Sequence, residues 1–181
     1  YSCPLLSCAV MVRRSEVDRL AYYFDCELER AEDVDFYVRL LSVGCVFAWH
    51  TEILSAYRIH QGSSQQDGMQ YYESYQRLLA KVYSQDYVEP GVLENKVDIY
   101  AHHALLGAMF CYATRQEESA QELLAKAKRL QPAWFRGEWP RILTAVTATA
   151  DSFRVEHPEA FIDYVFGHLP AECQDLQRLP R

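Results

Sequence analysis

The sequence predicts an α+β fold that is predominantly α, with a small mixed portion in residues 1–66 and an antiparallel helical array in residues 67–181. In the first portion, short β-prone segments flank one strongly apolar helix. After residue 69, apolar side chains recur at helical spacing. A polar stretch rich in glycine, serine and glutamine, residues 60–68, separates the two portions and marks the expected domain boundary.

The first portion begins with a predicted strand at residues 5–12, which alternate weakly and are β-prone. A short helix reaching about residue 22 is expected next, because Ser15 and Asp18 have the spacing of a capping box. Residues 23–31 then form a loop that approaches the main helix.

The main helix of the first portion is predicted over residues 33–43. Bulky apolar residues cover most of its surface, which is typical of a buried helix, and Gly44 supplies a left-handed stop. Two short strands, 45–49 and 53–59, are predicted to follow as a hairpin. The residues between them, Thr51-Glu52, are not a strong turn signal.

Five helices are predicted in the second portion, at residues 69–84, 93–114, 117–130, 136–155 and 158–169, with Pro90-Gly91 starting the second of these segments. A very short link joins 93–114 to 117–130, so these two helices must form an antiparallel hairpin.

Composition limits the classes of function. Half of the 181 residues are hydrophobic and 13% are aromatic, so the chain can bury a core and disorder is not expected. The net charge of −7 argues against a nucleic-acid surface. No apolar run reaches the roughly 18–20 residues that span a membrane, and no signal peptide is visible. The six cysteines lack zinc spacing and indicate a reducing, cytoplasmic location.

An acidic motif opens the main helix, where free N–H groups and the helix dipole favour negative charge. The motif and the hairpin after it carry, in order, Glu32, Asp33, Asp35, Arg39, Leu40 and Gly44, then Tyr57, Arg58, His60 and Ser63. This order resembles the second half of the catalytic domain of family 2 glycosyltransferases, which have the GT-A fold. With the strand and Arg-Arg pair ending at Arg14, and with Phe24-Asp25, the resemblance covers about residues 2–66.

The resemblance implies an inverting sugar transfer in which Asp33 takes the proton from an acceptor hydroxyl. The alternative for Asp33 is a helix-capping aspartate. Glu32 would support Asp33 or orient the acceptor. Asp35, either a capping partner or a surface charge, receives no role.

The same resemblance implies that His60 completes the shell of a Mn²⁺ or Mg²⁺ ion in the intact enzyme, held mainly by an Asp-x-Asp motif and the donor diphosphate. The alternative is a surface histidine. Arg58 would bind the diphosphate or pair with Glu32 or Asp33. One histidine cannot hold a metal, so no cofactor is expected in this chain alone.

The partners implied are a nucleotide-diphosphate sugar and a hydroxyl acceptor. The nucleotide-binding half of such an enzyme is not found in these residues, and the chain begins with Tyr1. We therefore expect an acceptor-side fragment with a helical C-terminal extension, inactive alone. The face left uncovered is expected to be partly apolar, through which two copies could form a homodimer.

The alternative is a helical protein-interaction module, with residues 69–181 binding a protein partner and the first third as a structural cap. A self-contained small enzyme is disfavoured because no second catalytic group is in sight. Most tyrosines between residues 71 and 112 have helical spacing and indicate core packing. His102 and His103 are adjacent and point to different helix faces, which argues against joint metal ligation.

Overall fold

The computed structural model describes residues 7–50, 52, 55–56, 67–136 and 140–170. Within those ranges the chain forms 3-10 helices at Ser7–Ala9 and Pro132–Phe135 and eight α-helices. The α-helices are α1 Arg14–Val17, α2 Glu32–Ser42, α3 Gly68–Tyr83, α4 Pro90–Glu94, α5 Lys96–Ala113, α6 Glu117–Leu130, α7 Pro140–Ser152 and α8 Pro158–His168.

The main core is built around α5, which is apolar on nearly all sides, as a helix enclosed by its neighbours must be. Its central residues are fully buried: Ala101, Ala104, Leu105, Ala108 and Met109. Helices α3, α6 and α7 pack directly against it, and α8 closes the cluster against α7 and α5. The predicted helical array over the second portion is therefore present.

The hairpin of α5 and α6 follows the sequence closely. Arg115 takes a left-handed conformation in the three-residue connection (φ 62°), which reverses the chain. One face of α6 is buried on α5, through Ala120, Leu123, Leu124 and Ala127. Charged residues fill its other face, so α6 has the amphipathic character that its spacing predicts.

Helices α3 and α5 approach closely because two glycines lie at their contact. A Cβ atom added to Gly68 would lie 2.5 Å from the Sγ atom of Cys111 and 2.6 Å from the backbone oxygen of Gly107. A Cβ atom added to Gly107 would lie 3.1 Å from the Cβ atom of Tyr72. Neither position leaves room for a larger residue unless the helices separate.

A smaller cluster lies in the first portion and is centred on α2. Phe36, Tyr37 and Leu40 are its buried members. The segments on either side of α2, including the end of α1, contribute partly buried side chains, namely Val10, Val12, Val17, Leu20, Cys45 and Phe47. Met11, between Val10 and Val12, and Val46, between Cys45 and Phe47, point to solvent and are 98% and 90% exposed.

The α+β prediction is wrong, because the described residues contain no β-strand. Residues 7–9 form a 3-10 turn, and both 10–13 and 45–50 run without sheet hydrogen bonds. Their side chains do alternate between α2 and solvent, which explains the strand-like pattern. A strand also needs a backbone partner for its N–H and C=O groups, and none lies beside these segments in the described ranges. The second predicted strand of the hairpin, 53–59, lies mostly outside them.

The local signals around α1 and α2 were partly correct. Gly44 has a φ of 79° and ends α2 as expected. The capping box is wrong: the N-cap of α1 is Arg13, which makes no side-chain cap. Asp18 instead pairs with Arg14, with 2.7 Å between the carboxylate and guanidinium atoms. Because α1 ends at Val17, it is also shorter than predicted.

Replacing Gly68 with alanine should lower the free energy of unfolding by about 2 kcal/mol or more, because the new methyl group overlaps backbone as well as Cys111. The matched control is Gly167→Ala in α8, where an added Cβ meets nothing within 4 Å. There alanine should stabilise the helix by about 0.5–1 kcal/mol. Urea unfolding of both variants checks this, and equal midpoints would contradict the close contact of α3 and α5.

Candidate acceptor site at the start of helix α2

The acidic pair of the sequence motif lies at the first two positions of α2. The chain enters the helix through Ala31, a non-glycine residue in the left-handed conformation (φ 64°). This conformation costs an alanine about 1 kcal/mol. It is held because Ala31 is buried, packing with Leu28 and with Leu78 of α3. Packing from the helical array thus fixes the direction in which α2 begins.

Asp33 and Glu32 are both partly exposed. One oxygen of Asp33, Oδ1, accepts a hydrogen bond from the backbone N–H of Val34 at 2.8 Å. The N-cap position belongs to Ala31, which makes no side-chain cap. Across the described ranges neither carboxylate forms an ion pair.

Asp35, two residues further along the same helix, has a different environment. Its side chain is only 2% exposed. One carboxylate oxygen lies 2.8 Å from Nε of Arg39 and the other 2.7 Å from Nζ of Lys81. The sequence left Asp35 without a role, although the Asp35–Arg39 spacing of four residues could have suggested the first contact. Lys81 belongs to α3, and no sequence spacing indicates it.

Arg39 connects Asp35 to the loop before α2. It donates hydrogen bonds to the backbone oxygens of Tyr22 and Tyr23, at 2.6 and 2.7 Å. Its guanidinium also lies 4.0 Å from the centre of the Tyr22 ring, a cation–π distance. The two hydrogen bonds and the cation–π contact hold the loop before α2 against the helix.

Lys81 joins this cluster from the helical array. Its ammonium group bonds Asp25 as well as Asp35, and it lies 5.1 Å from the Tyr22 ring centre. Partial burial acts to lower the pKa of Lys81, but the hydrogen bonds to the two aspartates outweigh it and raise the pKa above its ordinary value. The hydrogen bond from Lys81, aided by the Glu27 N–H group, lowers the pKa of Asp25. We call Asp25, Asp35, Arg39 and Lys81 the charge cluster.

The surface of this portion exposes several large apolar side chains, among them Phe24 at 54%, Leu41 at 57% and Trp49 at 73%. Phe24 stacks partly on Phe36, with ring centres 5.2 Å apart. The sequence predicts an apolar edge on the surface around the acidic pair, and its position there stays a prediction. The homodimer suggested through it stays a prediction.

The other predicted site residues, Arg58 and His60, lie outside the described residues. Their position relative to Asp33 therefore stays a prediction. Among the residues that the structure describes, no group of three or more histidine, cysteine or acidic side chains could hold a metal ion. The Mn²⁺ or Mg²⁺ site implied by the resemblance has no support from this part of the chain.

His102 and His103 lie in the core region of α5. The His103 ring is 4% exposed, stacks on Tyr75 with ring centres 4.3 Å apart, and has Nδ1 2.8 Å from the hydroxyl of Tyr71. Burial lowers the pKa of His102 to about 4 and that of His103 to about 3. Of the tyrosines between residues 71 and 112, Tyr72 and Tyr112 are buried in the main core as their spacing predicts, whereas Tyr87 is 43% exposed.

No protein-family model matches the chain, and no curated protein and no solved structure is significantly similar to it. Across the described ranges, every helix is too short or too polar to cross a bilayer.

Stability should fall as the pH decreases from 7 to 5. In that range an unfolded histidine takes up a proton that His103, with its folded pKa near 3, does not, so the unfolded state gains about 2 kcal/mol from this residue alone. His103→Asn should remove that part of the pH dependence, although it also lowers stability at pH 7. The exposed His157, changed to asparagine, is the control and should leave the pH dependence intact. Urea unfolding at pH 7 and pH 5 measures the change in the free energy of unfolding. If that change were the same in His103→Asn as in the wild type, a buried neutral ring would be contradicted.

Proposed function

We propose that this chain is the acceptor-side portion of an inverting glycosyltransferase related to family 2, with Asp33 as the catalytic base. The complete enzyme would move a sugar from a nucleotide-diphosphate donor to a hydroxyl acceptor. The donor would be held by a nucleotide-binding half that these residues do not include, so this portion alone would be inactive. The motif resemblance suggests this function, and the different environments of its acids support it.

The supporting observation is that three acids within one helical turn differ in burial and in ion pairing. Asp35 is buried and paired with two cations, whereas Glu32 and Asp33 are partly exposed and unpaired among the described residues. Residues two apart project about 200° from each other around a helix, so Asp33 and Asp35 lie on different faces of α2; Asp35 is buried and Asp33 is partly exposed. Asp35 is needed in its buried ion pairs, whereas no ion pair among the described residues engages Asp33. Asp33 is left available for a reacting group.

The proposed chemistry needs only a carboxylate in hydrogen-bond reach of the acceptor. As the acceptor oxygen attacks the anomeric carbon, its proton passes to Asp33. The new C–O bond forms on the face opposite the bond to the diphosphate, which breaks with its electron pair, so the configuration inverts. Glu32, next to the base, would orient the acceptor. Arg58 as a diphosphate ligand and His60 as a metal ligand stay predictions of the resemblance, and no step here depends on them.

A helical protein-interaction module is the second candidate. It is favoured by apolar side chains exposed near the junction of α4 and α5, where Val92, Leu93 and Val97 are 43–48% exposed. Under this reading the acidic start of α2 has no reaction to perform, and a protein partner covers the junction.

The test is Asp33→Asn in the complete protein that contains this chain. Because asparagine keeps the shape but cannot accept the proton, sugar transfer should fall at least a hundredfold, in line with the loss of a general base. Donor binding, measured by calorimetry, should change less than threefold.

The matched control is Asp86→Asn, which removes an exposed carboxylate in the turn after α3 and should leave transfer unchanged. Transfer that survives Asp33→Asn would contradict the assignment of the base. A wild-type protein that transfers no sugar from any nucleotide donor would favour the interaction module.

A further inference from the structure

The acidic start of α2 is held by the helical array as well as by its own portion of the chain. Three of the four members of the charge cluster, Asp25, Asp35 and Arg39, lie before residue 66, and the fourth, Lys81, belongs to α3. Lys81 bonds both aspartates, and its side chain is 28% exposed. Asp35, its partner on α2, is almost completely removed from solvent.

The apolar contact beside this cluster is small. Its buried members are Leu28, Ala31 and Leu78, with Val34, Tyr75 and Val82 packed around them. The main core around α5 has many more buried members, drawn from α3, α5, α6, α7 and α8. Since apolar burial stabilises in proportion to area, this patch gives the α2–α3 junction less than the main core gives the array. The polar contacts of the charge cluster therefore add to the placement of α2 on α3.

Through Asp35, the charge cluster shares the first turn of α2 with the acidic pair. Asp35 lies two residues after Asp33, and Ala31, which fixes the entry of the helix, packs on Leu78, one turn of α3 before Lys81. A change in the position of Asp35 relative to Lys81 would carry the first turn of α2 with it, because a single helical turn moves as a unit.

We propose that Lys81 is a positioning residue for the acidic start of α2: through Asp35 and Asp25 it fixes where Glu32 and Asp33 lie, and so makes the helical array part of the acceptor site. The second half of this statement rests on the proposed function, and the first half does not. Lys81 itself does not touch the reacting groups; it acts through α2.

Amide hydrogen exchange on the folded chain tests the positioning role without any activity measurement. Removing the ammonium in Lys81→Met should speed exchange of the α2 amides at least tenfold more than exchange of the buried α5 amides, because α2 would open locally. The matched control is Lys126→Met. That lysine lies in α6 with its ammonium 4.8 Å from the Tyr72 ring centre, so the ratio of α2 to α5 exchange should not change.

Uniform acceleration in all helices, or none, would overturn the proposal, because Lys81 would then be a general stabiliser or an ordinary surface charge. Should Lys81→Met fail to fold, Lys81→Gln decides in the same way. It removes the ammonium charge and keeps a polar side chain, so faster exchange must again be confined to α2.

Activity separates this proposal from the proposed function. In the complete protein, Lys81→Met should lower kcat at least tenfold and leave donor KM within threefold, and Lys81→Arg should restore part of the rate. If exchange in α2 responds to Lys81 but the protein transfers no sugar, the proposed function fails and the positioning role stands. If transfer depends on Asp33 but exchange in α2 does not respond to Lys81, the positioning role fails and the proposed function stands.

Discussion

The side chain of Asp35 is a carboxylate buried in the junction between α2 and α3. Its burial constrains how the first portion of the chain packs. Removing an ionised carboxylate from water costs several kcal/mol unless the surroundings compensate it. Arg39 and Lys81 provide that compensation, one on each carboxylate oxygen. Because the loss of either cation would leave one buried carboxylate oxygen without its partner, α2, the loop before it and α3 are held together.

The remaining contacts of the first portion fit around this constraint. Arg39 uses its other donors to fix the backbone at Tyr22 and Tyr23. The left-handed Ala31 directs the chain into α2, and its burial against Leu78 compensates the strain. The acidic pair therefore emerges at a defined place while Asp35 stays inside. In the proposed enzyme this division separates the acid that builds the site from the acid that reacts.

Helices of the second portion were predictable because each one carries its own pattern. The bounds of α6, residues 117–130, are the same in sequence and structure, since an amphipathic stripe and Gln131-Pro132 define both its face and its end. The strands failed because alternation reports which side chains are buried and says nothing about a backbone partner. Segments 10–13 and 45–50 alternate on the surface of α2 without one.

The candidate site shows the same limit of sequence reasoning. Its acids could be found from the motif, and Arg39 from its spacing to Asp35. Lys81 could not, because the contact joins two helices that no local signal connects. Burial of Asp35 is a tertiary property, and it is what distinguishes this residue from Asp33.

The structure predicts that Asp35 and Lys81 are energetically coupled across the α2–α3 junction. A double-mutant cycle with Asp35→Asn and Lys81→Met, measured by urea unfolding of the folded chain, tests it most directly. We expect a coupling free energy of about 2 kcal/mol, above that of an exposed pair, because Asp35 is buried and Lys81 bonds one of its two carboxylate oxygens. A value below about 0.5 kcal/mol, typical of exposed ion pairs, would contradict it.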